Sequence, residues 1–155
     1  MRLSWNALLF GLKAKRLEGD IYSVQVAVLG DSEIGPYMDL LRFTKRVILY
    51  REPVEVHHIV NGEHLPGTGW PYEIAPCIVL SQSLHQQYHG RFSETITAYH
   101  ARDTIGSITR QHALQLYHDM FVKQTGWNEL WPIAARILTG KTRVPTEQQI
   151  WKGEE

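Results

Sequence analysis

The sequence predicts a single α+β domain, because short apolar strand-like runs are interspersed with segments of helical periodicity. A chain of 155 residues is most simply one domain with one sizeable core. Its hydrophobic content of 43% and charged content of 21% are ordinary for a globular protein. No apolar run approaches transmembrane length, so we expect no membrane insertion and one domain over residues 1–155.

The N-terminal region, residues 1–53, is expected to alternate helices with strands. Residues 5–18 have the apolar spacing of a helix, and Gly19 stands near its end. The segment "IYSVQVAVLG" predicts a strand, because it is rich in β-branched residues and closes with glycine. The segment "GPYMDLLRFTKR" predicts a helix with Pro36 in its first turn, and "RVILY" predicts a further short strand.

The middle of the chain predicts two short strands joined by a loop. "VEVHHIV" ends an alternating apolar run, and "CIVLS" is a compact apolar segment. Between them, "NGEHLPGTGWPYEIAP" holds three glycines and three prolines, which is typical of a loop. After the second strand, Ser81 or Ser83 is expected to cap a helix through "LHQQYHGRFSETITAYH".

The C-terminal region, residues 107–140, predicts two helices, and a polar tail follows over residues 141–155. The helical segments are "SITRQHALQLYHDMFVKQ", which stops near Gly126, and "NELWPIAARILTG". The first carries an apolar stripe that predicts a core face: Ala113, Leu116, Tyr117, Met120 and Phe121. Trp127 and Trp131 likewise indicate a core or interface position.

Charge and cysteine content limit the classes of function. The formal net charge is zero, with 16 basic and 16 acidic residues, so there is no global electrostatic case for nucleic-acid binding. The single Cys77 cannot form an intramolecular disulfide and is expected to be a buried thiol. Trp5 and Asn6 interrupt the short apolar run near the N-terminus, so we expect no signal peptide. We expect synthesis in the cytoplasm, and any export would need a specialised secretion system.

Four histidines have a spacing that indicates a metal site. His85 and His89 stand at i and i+4, so they share one face of the predicted helix and can chelate one divalent ion. Such a pair is also a common polar surface feature. Adjacent side chains on a strand point to opposite faces, so His57 and His58 should not bind the same ion. If the strands pair antiparallel beneath the helix, His57 completes a three-histidine set, and His58 remains available to act on a water molecule.

The segments "EVHHIV" and "APCIVLSQSLHQQYH" resemble the HNH/endonuclease VII (His-Me finger) nucleases, above all the nuclease toxin domains of bacterial polymorphic toxins. The H-x-x-x-H helix also resembles that of colicin-type DNases, and the likeness covers residues 54–92. The resemblance implies a ββα-metal core with flanking helices. It implies that one divalent metal ion (Zn, Mg, Mn or Ni) is bound by His57, His85 and His89. It also implies that His58 is the general base.

The same resemblance implies a metal-dependent endonuclease that hydrolyses phosphodiester bonds, with DNA favoured over RNA. The protein would be an antibacterial toxin effector, or the toxin module of a larger one, exported into the cytoplasm of a target cell. A cognate immunity protein would then be its partner. Two alternatives stay open, namely a phage-borne HNH endonuclease and a non-catalytic zinc-binding module. Unfolding on removal of the metal by EDTA would favour the zinc-binding module.

Other residues near the motif have two interpretations each. Arg51 and Arg91 are expected either to contact substrate phosphate or to be plain surface charge. His64 either joins the site or is a solvated loop histidine. Trp70 either stacks on a base or packs beneath the loop. Some toxins of the family that the segments resemble carry Glu where this chain has Asn61, so either Glu63 replaces that residue or its role is absent.

Overall fold

The computed structural model describes residues 4–18, 23–30, 32–46, 54–84, 86, 110–124, 127–140 and 144–146. Its elements follow the chain in this order: α1 (Trp5–Phe10), β1 (Lys13–Glu18), β2 (Ser23–Leu29), β3 (Ser32–Pro36), α2 (Tyr37–Arg46), β4 (Val54–His58), a 3₁₀ turn (Gly62–His64), β5 (Pro76–Ser81), α3 (Arg110–His118), a π-helical segment (Asp119–Gln124) and α4 (Leu130–Thr139). The five strands form one antiparallel sheet in the order β1-β2-β3-β5-β4. The mixed α+β class predicted from the sequence is therefore confirmed.

The N-terminal helix is shorter than predicted, because α1 ends at Phe10 and the following residues form β1. Gly11 takes the left-handed conformation, with φ of 64°, and its N–H bonds to the carbonyl of Ala7. A glycine in this conformation ends many helices. The next segment pairs along its whole length with β2 and buries Leu17. Pairing with the neighbouring strand thus overrides the helical propensity of its lysine, alanine and leucine residues.

The central strand β3 is not predicted by the sequence pattern. Its five residues include Gly35 and Pro36, which are poor strand formers. The prediction that Pro36 lies in the first turn of a helix is wrong, because Pro36 ends β3 and α2 begins at Tyr37. Ile34 is fully buried opposite Ile78 of β5. Pairing and burial in the middle of the sheet therefore hold this short segment extended.

The two strands around the adjacent histidines pair antiparallel, as predicted. His57 stands opposite Ile78, and His58 stands opposite Cys77. The helix predicted after β5 is described only at its start, where residues 82–84 and 86 are helical. The Oγ of Ser81 accepts a hydrogen bond from the Leu84 N–H at 3.3 Å, which confirms one of the two predicted caps.

Two buried clusters lie on the two faces of the sheet. The larger packs α3, α4 and the loop after β4 against the face that carries Ile78 and Leu80. The smaller packs α2 against the face that carries Cys77 and Val79. The predicted core stripe is wholly buried, and it consists of Ala113, Leu116, Tyr117, Met120 and Phe121. Cys77 is a buried free thiol, as expected.

Some predicted elements fall outside the described residues. These are positions 47–50 of the "RVILY" strand, the helix beyond residue 86, and the polar tail after residue 146. Among the residues that are described, no helix is long and apolar enough to cross a membrane.

Candidate functional site

The adjacent histidines end β4 and point to opposite faces of the sheet. Residues directly opposite one another in an antiparallel pair share a face. Ile78, opposite His57, belongs to the larger core cluster, whereas Cys77, opposite His58, belongs to the smaller one. Both imidazoles are nearly buried, with 8% of His57 and 7% of His58 exposed. The prediction that the two side chains point apart is confirmed.

A backbone carbonyl fixes the tautomer of His57. Its Nδ1 lies 2.7 Å from the carbonyl oxygen of His58. A carbonyl oxygen only accepts, so Nδ1 carries the proton, and Nε2 carries the lone pair in the neutral ring. Metal-binding histidines commonly have their second nitrogen fixed by a carbonyl or carboxylate in this way. His57 therefore has the tautomer that metal coordination through Nε2 requires.

A second carbonyl fixes the opposite tautomer on His58. Its Nε2 lies 2.9 Å from the carbonyl oxygen of Tyr72, in the loop that leads to β5. Here Nε2 carries the proton, so Nδ1 holds the lone pair when the ring is neutral. Two neighbouring histidines thus present different nitrogens on different faces of the sheet. This arrangement suits two different chemical roles.

The ring of His58 belongs to a three-ring cluster with Tyr37 and Tyr72. The His58 centroid lies 4.7 Å from that of Tyr37 and 4.2 Å from that of Tyr72. The two tyrosine rings meet edge to face at 5.1 Å, so the three rings form a triangle. A Cβ on Gly62 would lie only 2.8 Å from Cε2 of Tyr72. A glycine in the 3₁₀ turn is therefore needed for this ring position.

Burial keeps His58 neutral near physiological pH. Desolvation lowers the pKa of His58 below its ordinary value of 6.5. The hydrogen bond to the Tyr72 carbonyl and the nearby Glu73 carboxylate both raise this pKa, but they offset the desolvation only in part. Burial and the neighbouring Tyr37 raise the pKa of the Tyr72 phenol, which stays protonated.

The third histidine of this region, His64, lies in a second buried cluster around Tyr117. Its Nδ1 is 2.8 Å from the Tyr117 hydroxyl, and the same hydroxyl accepts the Asn61 N–H at 2.7 Å. His64 is 8% exposed. The interpretation of His64 as a solvated loop histidine is therefore wrong, because the 3₁₀ turn packs against α3. Burial raises the pKa of the Tyr117 hydroxyl.

Glu63 lies at the outer edge of this second cluster. Its Oε1 accepts a hydrogen bond from Asn61 Nδ2 at 3.1 Å and lies 3.8 Å from Nε2 of His64. The side chain of Glu63 is half-exposed. Glu63 thus stands beside Asn61, and its contacts are with Asn61 and His64.

Several predicted site residues lie outside the described residues, namely His85, His89, Arg51 and Arg91. Within the ranges that the structure describes, no three His, Cys, Asp or Glu side chains group closely enough to hold a metal ion. The three-histidine set therefore stays a prediction. The tautomer of His57 fits the role of one ligand in such a set.

The three-ring cluster contains two residues that the sequence pattern does not single out. Tyr37 begins a helix and Tyr72 lies in a loop, and only the tertiary fold brings both to His58. The aromatic residue that the sequence does single out in this loop, Trp70, is 4% exposed. Its interpretation as a packing residue beneath the loop is confirmed.

Comparisons of the chain with protein-family models, with curated proteins and with solved structures found no match. The family resemblance therefore rests on the histidine segments of the sequence.

Proposed function

We propose that the protein is a metal-dependent nuclease that hydrolyses phosphodiester bonds, with DNA favoured. The observation that carries this proposal is the pair of complementary tautomers on His57 and His58. One ring has its lone pair on Nε2, and its neighbour has its lone pair on Nδ1. The pair thus offers a metal ligand on one face of the sheet and a proton acceptor on the other.

His58 is the proposed general base. A neutral imidazole is required to take a proton from water, and the lowered pKa of His58 supplies that form at neutral pH. As Nδ1 accepts the proton, positive charge develops on the ring. The Tyr72 carbonyl, which accepts a hydrogen bond from Nε2–H, then stabilises the imidazolium. The same contact also holds the ring in one orientation.

His57 is the proposed metal ligand, together with His85 and His89. A divalent ion at this site would stabilise negative charge on the phosphate and on the leaving oxygen. The carbonyl of His58 holds Nδ1 of His57 protonated and so keeps Nε2 in the basic form. The identity of the ion, among Zn, Mg, Mn and Ni, is part of the proposal to be tested.

The biological role that we propose is that of a toxin effector or toxin module with a cognate immunity protein. The resemblance of the histidine segments to polymorphic-toxin nucleases supports this role. Because the net charge is zero, contacts with phosphate must come from a local basic patch, for which Arg51 and Arg91 are the candidates. An immunity protein would complement such a patch with acidic residues.

Digestion assays test the proposed activity. Supercoiled plasmid, single-stranded DNA and RNA are incubated with the protein and Mg²⁺, Mn²⁺, Ni²⁺ or Zn²⁺, with and without EDTA, and the fold is followed by circular dichroism. We expect cleavage with at least one ion and its loss in EDTA while the fold persists. The absence of cleavage with every ion would contradict the proposal. If EDTA also unfolded the protein, a non-catalytic zinc-binding module would be the better account of its function.

A further inference from the structure

The Tyr72 ring is unusual in the three-ring cluster because much of it faces solvent. It is 49% exposed, whereas His58, whose ring centroid lies 4.2 Å away at a tilt of 32°, is almost fully buried. The Tyr72 ring thus lies between the proposed general base and solvent, where a ligand can reach it.

The position of the Tyr72 ring is fixed by three separate parts of the chain. It packs against His58 of β4, meets the edge of Tyr37 at the start of α2, and lies against Gly62 of the 3₁₀ turn. A ring that is already ordered loses little conformational entropy when a flat ligand stacks on it.

The Glu73 carboxylate beside the ring disfavours a phosphate group in direct contact with that ring. Glu73 adjoins Tyr72 in the chain and is exposed, and its carboxylate acts on both Tyr72 and His58. This carboxylate repels a phosphate group placed against the ring, so the base of a strand, and not its backbone, would lie on Tyr72. A nucleobase has no such charge, and every base presents a flat face that stacks on an aromatic ring.

We infer that Tyr72 is a stacking platform for a nucleobase beside the scissile phosphodiester, and that the substrate is single-stranded nucleic acid. This inference rests on the proposed nuclease function. In a duplex the base faces are covered by their neighbours, so a fixed ring could reach one only after the base was extruded. In a single strand the bases are open, and stacking adds affinity without added positive charge. This fits a chain whose net charge is zero.

The experiment compares single-stranded oligonucleotides with their duplexes and with oligonucleotides that carry one abasic nucleotide beside the cleaved bond. The proteins are wild type, Tyr72→Phe and Tyr72→Leu. Leu8→Ala is the matched control, because Leu8 is an exposed apolar residue of α1, which packs on β2 and β3. Cleavage gives KM and kcat, and fluorescence anisotropy in EDTA gives binding without turnover.

We expect Tyr72→Leu to raise KM for the single strand by about 5- to 150-fold, the usual loss for one stacked base. Tyr72→Phe and Leu8→Ala should keep the wild-type KM. For the abasic oligonucleotide, wild type and Tyr72→Leu should have equal KM values. His58 Nε2–H donates its hydrogen bond to the backbone carbonyl of Tyr72, which the substitution retains, so kcat should change much less than KM.

Three outcomes would overturn the inference while the proposed nuclease activity stands. If Tyr72→Leu lowers kcat equally on the base-containing and abasic strands, the ring serves only to hold His58. If every KM is unchanged, the ring does not meet the substrate, and a protein partner is the better occupant of this surface. If duplexes are cleaved as readily as single strands, the substrate class is wrong, although the nuclease activity stands. Failure to cleave any nucleic acid would reject the proposed function and this inference with it.

Discussion

The substitution Tyr117→Phe tests how the C-terminal helix α3 holds the loop that follows the adjacent histidines. The Tyr117 hydroxyl accepts the Asn61 N–H at 2.7 Å and lies 2.8 Å from Nδ1 of His64. Phenylalanine fills the same space and removes only the oxygen. The half-buried Asn61 N–H and the buried His64 Nδ1 then both lose their contact with this hydroxyl.

The expected loss follows from these two contacts. A buried polar group that loses its partner costs about 1–3 kcal/mol. Because Asn61 is half-buried whereas His64 is buried, we expect the free energy of unfolding to fall by about 2–4 kcal/mol in total. Tyr72→Phe is the matched control, since it removes a hydroxyl from a half-exposed ring, and it should change the stability by about 0.5 kcal/mol or less.

Urea unfolding followed by circular dichroism and tryptophan fluorescence measures both variants in the same buffer. The midpoint should fall for Tyr117→Phe with no change in slope, because the surface exposed on unfolding is unchanged. If the free energy of unfolding of Tyr117→Phe falls by an amount within about 0.5 kcal/mol of the Tyr72→Phe value, the expected loss is refuted. The Tyr117 hydroxyl would then not hold the 3₁₀ turn against α3.

Two further predictions concern the three-ring cluster. Burial lowers the pKa of His58 below 6.5. Just below pH 6.5 the unfolded chain therefore binds more protons than the folded protein does. The free energy of unfolding should then fall as the pH drops through this range. In EDTA, the free energy of unfolding of His58→Gln should fall less than that of wild type between about pH 7.5 and about pH 5.5. An equal fall in both proteins would contradict the lowered pKa of His58. Gly62→Ala places a Cβ 2.8 Å from Cε2 of Tyr72, so urea unfolding should show a loss of about 1–3 kcal/mol. That loss should largely vanish in a Tyr72→Ala background, and an undiminished loss there would show that the ring is not its cause.

The sequence pattern predicts the strand pair around the histidines because alternation is a local property. His57 and His58 end a run of period two, and their partners Ile78 and Cys77 lie in an apolar run of strand length. The direction of each side chain follows from the pleat alone. The buried stripe of α3 is also predictable from the sequence, because its members recur at helical spacing.

The pattern fails where contacts distant in the chain decide the structure. β1 has good helix formers but is a strand, because β2 offers it a partner along its whole length. The burial of His64 depends on Tyr117, and nothing near His64 in the chain indicates it. Tyr37 and Tyr72 reach His58 from a helix start and a loop. These contacts arise from tertiary packing, which periodicity and propensity do not report.

Metal titration with matched turnover rates distinguishes the roles proposed for His57 and His58. Calorimetry and nuclease assays are run on wild type, His57→Ala and His58→Ala, with His112→Ala as the control, since His112 is an exposed histidine of α3. His57→Ala should lose both metal affinity and activity. His58→Ala should keep its metal affinity and lose about 10²–10⁴-fold in turnover, and His112→Ala should match wild type. If His58→Ala loses metal affinity while His57→Ala keeps it, the two roles are reversed. If turnover is unchanged in both variants, this pair is not the active site.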